Sequence, residues 1–284
     1  MSWSLVSAVN DEGIFNSCLR HSPGAKSAAE VIIQKDFPSA AKAYNDAIRK
    51  AKTDLVVFAH QDVYLPREWF DSVQGFLDLL STKNTNWGVL GVWGLNSAGA
   101  GAGFLYCTGA GAQLGKPAAD ISEVRALDEV VLILRKSSML SFDEHLPGFH
   151  MYGTDICMAA RRRGMKCYAI SAFCIHNASG YRMLPAAFWK ACFFIRKNWK
   201  SELPILAPCV KISYWCWPMA RWNLVRAVNL IIGRDRPKIG RVPDPNQLYQ
   251  QLLRSGTMGL PPSGEQQILD CNSKPATTNI SCSP

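Results

Sequence analysis

Through its first 95 residues the chain alternates short apolar runs with amphipathic segments. Ser4–Val9 reads as a strand, and Glu12–Arg20 puts Ile14, Phe15, Cys18 and Leu19 on one helical face. Val31–Ile33 is a second strand. Ser39 then reads as the N-cap of a helix whose buried stripe is Ala43, Tyr44, Ala47, Ile48 and Ala51. Leu55–Ala59 is a third, β-branched strand. A helix after Pro66 aligns Phe70, Val73, Leu77 and Leu80, and Gly88–Trp93 follows as a fourth strand. Further on, Glu129–Arg135 and Lys166–Phe173 read as strands flanking a helix at Thr154–Arg163, which Gly164 stops.

Strands alternating with helices predict βαβ units, hence an α/β domain with a mostly parallel sheet flanked by helices, over residues 1–181. Residues 182–254 form a basic, aromatic helical extension, and 255–284 a tail. From Gly256 onward Pro, Ser, Asn, Thr and Gly dominate, so that tail is expected to be disordered. Seven glycines between Gly94 and Gly115 predict a flexible loop or lid. No compact strand–glycine–helix unit surrounds them, which argues against a dinucleotide fingerprint. Open α/β sheets bind ligands at the carboxyl ends of their strands. That rule directs attention to Asn10-Asp11, Asp36 and His60-Gln61-Asp62.

Composition narrows the class. An apolar fraction of 48% excludes global disorder. No uninterrupted apolar stretch approaches the length of a membrane-spanning helix. Met1–Asn10 carries no basic n-region and runs directly into a strand, so a cytoplasmic protein with reduced cysteines is expected. The 10 cysteines contain no C-x-x-C, which argues against a zinc site. The net charge of +9 is uneven: between Arg182 and Arg254 thirteen Lys/Arg face three Asp/Glu, and five of the nine tryptophans lie in the same stretch. Any anionic partner belongs there.

Three constellations carry chemistry. Asp62, just past the third strand, either holds a divalent cation against a diphosphate or caps a turn before Pro66. Asp155 opens the helix ending in Arg161-Arg162-Arg163, where it serves either the helix dipole or an acid–base role; Arg161 is the arginine that can point inward. His176 follows a strand and precedes Asn177-Ala178-Ser179-Gly180, a loop in which an imidazole can ligate metal or donate to phosphate.

The order of these residues, from Val6-Ser7-Ala8-Val9-Asn10-Asp11 through Ala43-Tyr44-Asn45-Asp46-Ala47, Asp62, Phe142-Asp143-Glu144 and Tyr152-Gly153-Thr154-Asp155 to Arg161, Gly164 and His176, resembles the GT-A fold of family-2 nucleotide-sugar glycosyltransferases. The likeness is to a bacterial subgroup linked to surface polysaccharide synthesis, and it covers about Ser4 to Tyr181. It implies transfer from a nucleotide-diphosphate sugar to a saccharide or lipid-linked acceptor, by an inverting, metal-assisted reaction. Asn10, Asp11, Asp36, Asn45 and Gln61 would then surround the donor nucleotide, with Arg161 also on the donor side. Asp62 matches the last acidic residue of a D-x-D motif binding Mg²⁺ or Mn²⁺, and His176 the histidine completing that site.

The chain departs from the family pattern twice. His60 stands at the first acidic position of D-x-D, as a third candidate ligand, and Gly153 at the usual position of the catalytic base. The base is therefore Asp155, or Asp128 or Glu129 beside the neighbouring strand, or the chain is a nucleotide-sugar-binding module without turnover. The basic, tryptophan-rich segment reads either as a seat on the anionic inner face of the plasma membrane or as aromatics packed back on the main sheet with solvated cations, and Pro204, Pro208 and Pro218 argue against one continuous amphipathic helix. Nucleic acid is not expected as a partner, because the cations are dispersed among prolines and aromatics.

Overall fold

A computed structural model describes residues 1–179, 184–232 and 240–256. The tail from residue 257, and with it the expected disorder, lies outside the described residues. The chain opens with β1 (Trp3–Ala8), α1 (Glu12–Phe15), which runs on through wider turns to Arg20, and β2 (Glu30–Gln34). Then come α2 (Ala40–Lys50), β3 (Leu55–Ala59), β4 (Val63–Tyr64), α3 (Trp69–Lys83), β5 (Trp87–Gly91) and β6 (Trp93–Leu95). As the sequence predicts, Ser39 caps α2, its side chain accepting from the Lys42 N–H.

Next in order are β7 (Gly101–Cys107), β8 (Ala112–Gly115), β9 (Ser122–Val124), β10 (Ala126–Leu127) and β11 (Val131–Arg135). After them come α4 (Tyr152–Arg162), β12 (Lys166–Ala169) and β13 (Cys174–His176). The main sheet has the order β2-β1-β3-β11-β5-β12-β9. Following the pairings outward from β3, five of the seven strands run one way, and only β11 and β9 oppose them. Both faces are covered. Along β3, Val56 and Phe58 pack toward α2 and α4, while Leu55, Val57 and Ala59 pack toward α3.

A second sheet, β10-β6-β7-β13-β4 with β8 on β7, stands on the carboxyl edge of the first. It corrects two expectations. The glycine-rich stretch is not a flexible loop: β6, β7 and β8 pair antiparallel through it. Glycine is needed there for close approach, since at Gly103, with φ +108, a Cβ would stand 2.0 Å from the Val92 carbonyl oxygen. The strand expected over Lys166–Phe173 is shorter: β12 ends at Ala169, and after 170–173 the chain enters the second sheet as β13, paired to β7 and β4. His176 is therefore the last residue of a strand, held in a ladder.

The remaining elements are α5 (Ala186–Asn198), a short hairpin of β14 (Ile205–Leu206) and β15 (Lys211–Ile212), α6 (Trp217–Ile231) and α7 (Pro245–Arg254). The extension is not detached from the α/β unit. Phe188, Cys192 and Ile195 of α5 join the core under α4, and Leu248, Tyr249 and Leu252 of α7 pack on Tyr64, Phe104 and Phe173. No helix among the described residues is long and apolar enough to cross a membrane.

Candidate active site

The site lies where β3 and β13 end and β4 begins. One ligating atom each from His60, Asp62 and His176 lies within 4.8 Å of the others. Antiparallel pairing of β13 with β4 sets His176 against Val63 and so brings the imidazole beside Asp62, with Nε2 3.4 Å from Oδ1. Below it, Cys107 Sγ lies 4.0 Å from His176 Nδ1. Burial opposes ionisation of both partners. The mutual charge and hydrogen bond overcome it, holding the Asp62 carboxyl well below the usual carboxylate range and keeping the His176 proton well above the usual imidazole range. His60 goes the other way: burial and the His176 charge lower it to about 4, so it is neutral at physiological pH. Its Nε2 is 2.9 Å from the Tyr152 hydroxyl, which itself donates to the Glu129 carbonyl at 3.2 Å.

Arg241 enters from the far end of the chain. Its Nη2 lies 3.3 Å from Asp62 Oδ2 and its Nε donates to the Asn177 carbonyl at 3.0 Å. The fully buried Asn177 side chain fixes that approach, donating to the Val242 carbonyl at 2.9 Å and accepting from the Val242 N–H at 2.8 Å. Sequence reasoning missed Arg241, Tyr152 and the clamp at Asn177. Arg241 is one cation among thirteen in its stretch, and only its position as the last basic residue before α7 sets it apart.

Gln61 ties the first and third strands together. It accepts from the N–H groups of Asn10 and Asp11 at 3.0 and 3.1 Å and donates to Asn10 Oδ1 at 2.6 Å. Asp11 also caps α1 through Ile14 N–H. Asp36 is exposed just past β2, in a left-handed conformation with φ 61.

Asp128 and Glu129 precede β11 and are half-buried. Glu129 Oε1 accepts from the Gly153 N–H in the first turn of α4 at 3.3 Å, and Asp128 Oδ1 accepts from Val130 N–H at 3.1 Å. Burial first, then the Asp128 charge, push the Glu129 carboxyl up to about 8. A Cβ at Gly153 would meet the Leu127 carbonyl at 2.6 Å and Glu129 Cγ at 3.3 Å. A side chain at this helix start is blocked first by the Leu127 backbone carbonyl and then by the Glu129 side chain.

Three expected donor or base residues are placed elsewhere. Asp155 is 2% exposed in the core, and the Trp199 indole donates to its Oδ1 at 2.7 Å; a carboxylate sealed there cannot reach an acceptor in the cleft. Asn45 spends its amide on the Phe142 carbonyl, the Phe142 N–H and Glu144 Oε1, so it braces the 142–144 segment instead of facing a nucleotide. Arg161 lies nine residues along α4 from Tyr152, about 13 Å at 1.5 Å per residue, and pairs with Glu202 at 3.5 Å.

A doubly covered α/β sheet that gathers acidic and imidazole side chains at its carboxyl edge, next to a helix N-terminus, has the GT-A fold. The family model described as "Glycosyltransferase like family" matches residues 4–185, and the chain belongs to that family. Among curated proteins it is 26% identical over 138 residues to "ATP synthase subunits region ORF 6" of Fuscovulum blasticum, a match spanning 47% of this chain and 55% of that one. Among solved structures it is similar to GalNAc-T7 with UDP, GalNAc and Mn²⁺, at TM-score 0.51 and 11% identity, over 72% of this chain and 50% of that one. A mannosyltransferase from Pyrobaculum calidifontis, in complex with GDP-Man and Mn²⁺, covers 95% of this chain and 79% of its own at 11% identity and TM-score 0.43. The likeness to GalNAc-T7 is one of fold.

Proposed function

We propose that this chain moves a hexose from a nucleoside-diphosphate sugar to a hydroxyl of a saccharide or lipid-linked acceptor, with inversion, in cytoplasmic polysaccharide or glycolipid assembly. The observation that carries this reading is the meeting of His60, Asp62 and His176 within 4.8 Å, with Arg241 on one side and Glu129 on the other side of Tyr152. Two imidazole nitrogens and one carboxylate oxygen form a donor set that suits Mn²⁺ well and admits Mg²⁺ if waters fill the remaining positions. When bound, such an ion neutralises charge developing on the departing diphosphate.

The chain's own residues do the rest. Arg241, held by Asn177, offers a guanidinium to a diphosphate oxygen. Asn10, Asp11 and Gln61 line the adjoining strand ends on the donor side. The ionised Glu129 carboxylate accepts the acceptor's hydroxyl proton while that oxygen bonds to the anomeric carbon and the bond to the diphosphate oxygen breaks. Asp128 tunes the proton affinity of Glu129. The GalNAc-T7 structure, which holds UDP and Mn²⁺, supports the donor class and the choice of ion.

Mn²⁺ titration followed by electron paramagnetic resonance, with UDP and GDP calorimetry alongside, tests the site. Asp62→Asn is expected to weaken Mn²⁺ by roughly 10- to 100-fold. Glu129→Gln is expected to bind the nucleotide normally but release no nucleoside diphosphate from a panel of donors and acceptors. Wild-type turnover retained in both variants would overturn the assignment. Tight donor binding by the wild type, with no turnover across the panel, would mark a binding module instead.

A further inference from the structure

We propose that α6 and the loop before it form a docking face for an anionic lipid bilayer, a surface independent of the glycosyl-transfer reading. Trp217, Arg221, Leu224, Val225, Val228, Ile231 and Ile232 are all exposed, with Leu224 at 60% and Ile231 at 84%. At 100° per residue these positions fall within an arc of about 120°, a single apolar stripe containing one arginine. Tyr214 and Trp215 precede it, the latter 79% exposed. Their loop is fixed, because Arg196 of α5 donates to the Ser213 carbonyl at 3.2 Å and also to the Tyr214 carbonyl, while Ser213 Oγ donates to the Trp215 carbonyl at 2.7 Å. Beside this anchor α5 exposes Lys190, Phe193 and Lys197, an alternation of cation, aromatic ring and cation.

Charge identifies the occupant. No Asp or Glu occurs between Glu202 and Asp235, whereas Lys211, Arg221 and Arg226 do. Two copies meeting through this face would oppose arginine to arginine with no carboxylate between them. A bilayer with anionic headgroups instead takes the apolar stripe into its interface, seats the tryptophans at headgroup level and pairs the cations with lipid phosphates. An exposed apolar stripe of this extent calls for such a partner.

Cosedimentation of the full chain with phosphatidylcholine vesicles, with and without about 30% phosphatidylglycerol, tests the proposal. The expected result is at least tenfold stronger partitioning onto the anionic vesicles, weakening as salt rises. Brominated lipid should quench the tryptophan fluorescence of the wild-type protein, a readout that needs no variant. The double substitution Leu224→Ser with Ile231→Ser should lower partitioning at least tenfold while UDP or GDP affinity stays unchanged. Equal recovery on both kinds of vesicle, no quenching, or a concentration-dependent dimer abolished by the same two substitutions would each overturn it.

Discussion

Glu129→Gln separates the candidate base from the rest of the site without requiring the true substrate. In the unfolded chain this carboxyl ionises at its ordinary value of 4.5, whereas in the folded protein burial and Asp128 hold the proton until about pH 8. Between those values the folded state binds more protons than the unfolded one. Stability therefore falls as pH rises from 4.5 to 8 and levels off beyond. The full gap corresponds to roughly 5 kcal/mol at about 1.36 kcal/mol per pH unit; because Glu129 is only half-buried, about 2 kcal/mol is the expected share. Glutamine keeps the shape and the acceptor for the Gly153 N–H and carries no charge.

Glu129→Gln should thus match the wild type near pH 5 and exceed it by about 2 kcal/mol near pH 8.5, roughly 4–8 °C in Tm. Melts of the two proteins across this range measure the difference directly. Alongside, wild-type kcat/KM should rise about tenfold per pH unit below 8, and the variant should lose roughly 10²- to 10⁴-fold in rate. A Tm difference that stays flat from pH 5 to pH 9 would refute the reasoning, since it would mean that Glu129 carries no raised proton affinity.

Three further substitutions probe the surroundings. Trp199→Phe removes the indole that donates to Asp155 at 2.7 Å and leaves a buried carboxyl without that partner; a loss of about 1–3 kcal/mol is expected in urea unfolding. Arg241→Ala should weaken a nucleoside diphosphate by about tenfold or more in calorimetry while leaving the monophosphate nearly unchanged, because one charge-assisted contact to the second phosphate is lost. Gly153→Ala drives a Cβ to 2.6 Å from the Leu127 carbonyl and against Glu129, so a cost of about 1–3 kcal/mol together with reduced turnover is expected from parallel melts and rate measurements.

The elements best predicted are those whose burial leaves a simple pattern, a continuous apolar run or one repeating helical face. Leu55–Ala59 and the Ser39-capped helix lie where the pattern puts them, because all five strand residues are buried, on both faces, and every third-to-fourth side chain of the helix meets one core. The second sheet was not legible. Its strands are short and glycine-rich, and its glycines serve close backbone packing, which looks the same as looseness in a single sequence. The break after Ala169 was hidden too, since Ile170, Ala172 and Phe173 are buried whether the strand continues or turns into another sheet.

The site divides along similar lines. Asp62 and His176 were legible because each stands at a strand end in polar, turn-forming sequence, and β13 pairing with β4 brings them together. Asp128 and Glu129 were legible as candidate bases, but the contact of Glu129 with the start of α4 was not, and Gly153 explains why. An acidic residue at position 153 would need a side chain where the Leu127 carbonyl and Glu129 already pack. Here the carboxylate at that helix start comes from the strand side, accepting the Gly153 N–H from across the gap. The α4 N-terminus favours its ionised form, while burial and Asp128 favour the protonated one. Their balance near pH 8 gives a group that is partly ionised at neutral pH and basic enough to take a hydroxyl proton. On the proposed assignment, the acidic side chain missing at Gly153 is replaced by one from another element, and the two elements touch only in the folded chain.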